Sequence, residues 1–158
     1  MNSGIHAYGN LNIPHALRLA HNEARYGLVH ATRQRGAFVE AVNSLSRLCL
    51  PHFEWEEKTV FPILGLMPEL KRGIVRPEMA EVLPIIADFS ARQDTADDHH
   101  QMILSAIIAL LQAVDPAKNK EVAEFAYNLR VHEKIEDDVV YPTVLLIGEY
   151  LREKLLLY

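Results

Sequence analysis

Two segments of the sequence repeat one pattern of chemistry-bearing residues. His52 and Glu56, followed by Phe61 and Pro62, are matched by His132 and Glu136, followed by Tyr141 and Pro142. In each segment an imidazole and a carboxylate stand four residues apart, which on an α-helix is a rotation of roughly 400° and puts both on one face, one turn apart. Two ligands from one helix can then reach one metal site. Each copy is preceded by a stretch of helical periodicity with a histidine on its apolar stripe: His21 before His52, and His99 or its neighbour His100 before His132. Both intervals have the length that two antiparallel helices and a turn need for residues to meet at one level. Four helices would supply four imidazoles and two carboxylates.

A single His-x-x-x-Glu is weak evidence, because such pairs are common on solvated helix faces. The duplication changes that. Ionisable groups are costly to bury unless they are paired or bound to metal, and here they fall on stripes otherwise made of Val, Leu, Ile, Ala and Phe. Imidazole combined with carboxylate points to iron, with zinc and manganese as the alternatives. The di-iron pattern of ferritin-like proteins needs Glu-x-x-His on two helices. It is absent here, its nearest approach being Asp97 before His100.

The elements that must position these residues are helices throughout. Period-2 alternation and hairpin turns are missing, while apolar residues recur at helical spacing. A first helix is predicted from Ile13 or Pro14, capped by Asn12, to about Arg35, with Leu17, His21, Ala24 and Leu28 inward. A second carries Val39, Val42, Leu45 and Leu48 down to His52, Glu56 and Ile63, with a kink expected at Pro51. Met67 to Pro77 reads as a connection. A third helix begins near Pro77, continues past Pro84 towards Ile103 and Leu110, and ends before Asp115. A fourth runs from about Lys118 with Val122, Phe125, Leu129, His132, Ile135, Glu136 and Val139 on one face; Pro142 disturbs it, and a short C-terminal helix follows. The expected fold is all-α, an antiparallel up-and-down four-helix bundle.

The chain has 158 residues, 49% of them hydrophobic, enough for one sizeable core and few for two. Residues 1–12 read as a flexible N-terminal arm and 13–158 as a single domain. With 23% charged residues and a formal net charge of -5, there is no basic footprint for nucleic acid or an anionic membrane. The most apolar stretch, Ser105 to Val114, is about half of the roughly 20 residues that span a bilayer. Cys49 is the only cysteine, which excludes an intramolecular disulfide and multi-thiolate metal sites and fits a reducing cytoplasm.

Taken together, His21, His52-Phe with Glu56-Glu57 and Phe61-Pro62, Asp98-His99, and His132 with Glu136 and Tyr141-Pro142 resemble the repeated pattern of the hemerythrin-like (HHE cation-binding) family, from about Ile13 to about Leu151. The resemblance implies two non-haem irons bridged by Glu56 and Glu136, with histidines as terminal ligands. It favours His99 over His100, since the acidic residue before His99 is similar to the family. Helical phase prefers Glu136 to Asp137, which points roughly 100° further round; the oxygen carriers are similar to the later spacing, so Asp137 stays a rival. Those carriers have a further histidine where this chain has Ile103. Four imidazoles and two bridging carboxylates fill about eight of roughly twelve positions around two octahedral irons, so a more open site is expected.

Function then divides between a protein that binds, stores or senses dioxygen, nitric oxide, peroxide or iron and an oxidoreductase of oxidative or nitrosative defence, including repair of iron centres. A zinc or structural metal site is the third reading. A redox or signalling partner and the oligomeric state are left open. Glu57 and Asp138 read as carboxylates behind the ligands or as solvated charges, His6, His15 and His30 as surface or packing residues, and Trp55 and Tyr26 as core filling or gates.

Overall fold

The computed structural model describes residues 12–156, which are all-α: no strand occurs among the described residues. The N-terminal arm falls almost wholly outside them. Helix α1 spans His15–Thr32, with Pro14 in an extended conformation just before it, where the ring presets the backbone for the first turn. Asn12 makes no capping contact, because the helix starts two residues later than the cap would need. Its buried stripe is His21, Ala24, Leu28 and Ala31.

Helix α2, Val39–Thr59, runs through Pro51 without interruption and buries Val42, Leu45, Cys49, His52, Phe53 and Glu56. It ends at Val60, and two single-turn helices follow, α3 (Phe61–Leu64) and α4 (Met67–Leu70), both opened by proline in the first turn. The connection closes through Gly73, whose φ of 71° lies in the left-handed region open to glycine.

The third helical stretch is in three parts. A 3₁₀ turn at Pro77–Val82 leads into α5 (Leu83–Ala91); Arg92 breaks the helix with φ -105° and ψ 11°, and α6 (Gln93–Ala113) sets off in a new phase. Helix α7 spans Lys120–Ile135, a π-helical turn occupies Glu136–Val140, and α8 covers Tyr141–Leu156. The expected disturbance at Pro142 is therefore a widened turn just before it, in which the Tyr141 N–H reaches back five residues to the Glu136 carbonyl.

α1 packs on α2 and α7, and α6 packs on α2 and α7, so these four helices close a ring. One apolar cluster fills this ring, and a second packs α3, α5 and α8 together. One gathers Leu28, Leu45, Phe53, Ile107, Leu110 and Leu129 with their neighbours; the other gathers Phe61, Ile63, Ile86, Tyr141, Val144 and Leu151. Each large apolar side chain fully buried in them contributes about 1.5–3 kcal/mol relative to exposure. α1 and α7 approach closely at Gly27, where an added Cβ would lie 2.2 Å from the Phe125 ring.

Along α2 and along the α7–α8 run, one cluster ends and the other begins at the repeated His and Glu residues. The ionisable layer is the seam between two cores. Among the described residues, no helix is long and apolar enough to cross a membrane.

Candidate metal centre

Six polar side chains are buried in that seam: His21, His52, Glu56, His100, Glu133 and Glu136. His132 joins them with its ring edge partly exposed and its Nε2 buried. Their donor atoms form two groups, His52, His100, Glu133 and Glu136, and His21, His132 and Glu136, within each of which the atoms lie within 4.8 Å of one another. Glu136 belongs to both: its Oε1 is 2.8 Å from His132 Nε2 and 3.4 Å from His21 Nε2, while its Oε2 is 3.9 Å from His52 Nε2 and 3.7 Å from His100 Nε2. Glu56 spans the groups similarly, with Oε2 3.2 Å from His21 Nε2 and 3.4 Å from His52 Nε2.

Two carboxylates behind the site fix the orientation of two rings. The His21 Nδ1–H donates to Glu57 at 2.9 Å, and Glu57 is itself held by Arg25 at 2.7 and 3.0 Å. The His100 Nδ1–H donates to Asp137 at 2.5 Å. A neutral imidazole that donates through Nδ1 carries a lone pair on Nε2, and both Nε2 atoms point into the seam. There His21 Nε2 meets carboxylate oxygens, and His100 Nε2 lies 2.9 Å from His52 Nε2. Lone pairs set face to face repel. A proton relieves one such contact; a cation between them makes all of them attractive. Carboxylates that orient ligating histidines in this way are typical of metal sites.

The carboxyl groups show the same unbalanced charge. Burial, then the neighbouring Glu136, pushes Glu56 well above its ordinary value of 4.5. Glu133 rises to about 9 through burial and the charges of Glu136 and Asp137. Burial would raise Glu136 as well, but the adjacent imidazoles of His132, His21 and His52 outweigh it and hold this carboxylate well below 4.5. Burial pushes the His52 imidazole down. Both oxygens of Glu133, Glu56 Oε2, Glu136 Oε2 and His132 Nε2 are buried without a hydrogen-bond partner among the described residues. Unpaired buried carboxylates are strongly unfavourable, and five orphaned donor atoms in one seam fit divalent cations in chemistry. The buried His/Glu cluster can hold a metal ion.

The structure brings together His21, His52, Glu56, His132 and Glu136 from the expected set. His99 is not among them: its ring is exposed, and it is His100 that points inward. The break at Arg92 sets the phase of α6, and buried Ile107 and Ile103 lead back at helical spacing to position 100. Asp137 sits behind His100 instead of facing the seam. Asp138 is solvated and paired with Lys134 at 2.8 Å. His15 is exposed, His30 pairs with Glu121 at 3.0 Å on the surface, and His6 lies outside the described residues. Tyr26 is exposed, and Trp55 is half-buried beside His52.

Two residues of the site were not anticipated. Glu133 is on the buried stripe Val122, Ala126, Leu129, Glu133, Glu136, which lies one residue round from the expected one; Ile135 and Val139 are exposed. The Tyr141 hydroxyl donates to Glu56 Oε1 at 2.7 Å and stands 3.0 Å from His100 Nε2. Chemistry follows these positions. Replacing His100 by alanine is expected to remove at least half of the bound metal from purified protein, whereas His99→Ala keeps the full content; elemental analysis of both variants checks this.

No known protein family, no curated protein and no solved structure matches the chain.

Proposed function

We propose that this chain is a non-haem di-metal protein, a hemerythrin-like four-helix bundle that holds two iron ions and binds a small diatomic ligand or peroxide at them. One observation carries the reading: two groups of buried imidazole and carboxylate donors, drawn from four helices, share Glu136 and are spanned again by Glu56. Carboxylates so placed suit bridging positions between two ions. The first apolar cluster draws on residues after His21 in α1 and after His100 in α6, but before His132 in α7 and, Phe53 apart, before His52 in α2. Helices alternating in direction past one layer support the up-and-down arrangement. Iron bound by such donors supplies dioxygen or nitric oxide capture and redox chemistry.

A cavity of about 210 Å³ lined by Pro51, His52, Trp55, Arg92, Thr95 and His99 reaches the His52 ring from the surface. This favours a ligand-binding or reactive centre over a purely structural ion, which needs no approach. It also gives His99 a place at the mouth.

The test is the metal content of the protein purified from its own host, with optical spectra recorded before and after air, azide and peroxide. Reversible iron bands support a carrier or sensor, and rapid peroxide loss supports the defence enzyme. A colourless protein that holds zinc alone, or one that takes up no metal, would overturn the di-iron assignment.

A further inference from the structure

The two copies of the repeated motif agree at their histidine, glutamate and proline positions but differ at two others that face the seam. Where the first copy has Phe53 and Phe61, the second has Glu133 and Tyr141. Phe53 and Phe61 cover His21, with ring centroids 4.3 and 4.7 Å away. The donor group of His21 and His132 is therefore walled by hydrocarbon. On the other side, Glu133 brings a fully buried carboxylate whose two oxygens have no partner, and Tyr141 adds a hydroxyl against Glu56 and His100.

The outer carboxylates sharpen the contrast. Glu57, behind His21, is neutralised by the two-point contact of Arg25. Among the described residues, Asp137, behind His100, has no cation within ion-pairing distance other than that imidazole. Carboxyl groups without a Lys or Arg partner are thus concentrated on one half of the centre. Cation affinity follows the number and charge of oxygen ligands.

We propose that the two ion positions are unequal and fill in sequence, a first divalent cation entering among His52, His100, Glu133 and Glu136, and a second, held more loosely, beside His21 and His132. The inference rests on the di-metal reading, and it adds that a stable form with a single ion exists. Sharing of Glu136 reinforces the order. Once the first ion draws on that carboxylate, less negative charge remains for the second.

The experiment is a titration of the metal-free 158-residue chain with Co²⁺ or Zn²⁺ against a chromophoric chelator, followed by Co²⁺ absorption. Two resolved steps are expected, with dissociation constants separated on the order of 100-fold. Glu133→Gln, which keeps the side-chain volume, should abolish the tight step and spare the loose one. His132→Ala should do the reverse. The double variant Glu133→Phe with Tyr141→Phe makes the copies alike and should merge the steps; circular dichroism of the Glu133→Gln protein confirms that the fold survives. Two ions bound with equal affinity in the wild type, or equal loss of both steps in Glu133→Gln, would overturn the proposal while leaving the di-metal reading intact. Failure to bind either metal would overturn both.

Discussion

Replacing Glu136 by alanine is expected to empty the centre of both ions at once. Among the described residues no other carboxylate belongs to both donor groups, and its two oxygens face His132 and His21 on one side and His52 and His100 on the other. Loss of a group behind a ligand typically weakens metal binding about 10–100-fold; loss of a shared ligand should exceed the upper end of that range for each ion. Glu136→Gln separates charge from shape, because the amide fills the same space without neutralising a cation. It should also lose most metal. Elemental analysis after gel filtration measures both variants, and full occupancy in either one would remove Glu136 from the ligand set.

The metal-free protein is expected to lose stability as pH rises between 6.5 and 9. Glu133 is responsible. Its folded carboxyl stays protonated up to about 9, whereas in the unfolded chain it ionises near 4.5. A carboxyl raised on folding contributes its full stabilisation below the unfolded value and loses it as pH climbs to the folded one. Glu56, raised as well, acts in the same direction. His52, lowered on folding, acts oppositely but only below 6.5, and the depressed Glu136 acts only below 4.5. In the window between them one proton corresponds to about 1.4 kcal/mol per pH unit. A bound cation displaces that proton, so metal should stabilise the fold more at the alkaline end. Thermal unfolding with and without chelator checks the sign: a Tm of the metal-free protein that is flat or rising across this window would mean that Glu133 is ionised when folded.

The all-helical class was legible because the 3.6-residue period runs through almost every segment, and the buried face of α1 is the one that period indicates. The repeated His and Glu residues were legible for a related reason, since polar groups on an apolar stripe need a physical explanation. Neighbouring positions were harder. His99 and His100 both extend the stripe of Ile103, and only the break at Arg92 decides which of them turns inward. Glu133 was hidden by its neighbour. His132 occupies the edge of the buried face, so a stripe drawn through it passes Glu133 by, although the spacing from Ala126 and Leu129 points to that residue. Tyr141 was read as the aromatic counterpart of Phe61, yet its hydroxyl depends on a tertiary contact with Glu56, 85 residues away in sequence.

Gly27 gives the ring of helices its seam of closure, since α1 and α7 meet there with no room for a side chain. The His21 and His132 rings, 5.1 Å apart, face each other across that same pair of helices. His52 and His100 face each other across α2 and α6 instead. A methyl group at position 27 would act as a wedge on one joint of the molecule alone, prising the first pair of imidazoles apart and leaving the second in register. The half of the centre proposed to hold its ion less tightly is thus also the half whose geometry hangs on a single missing carbon.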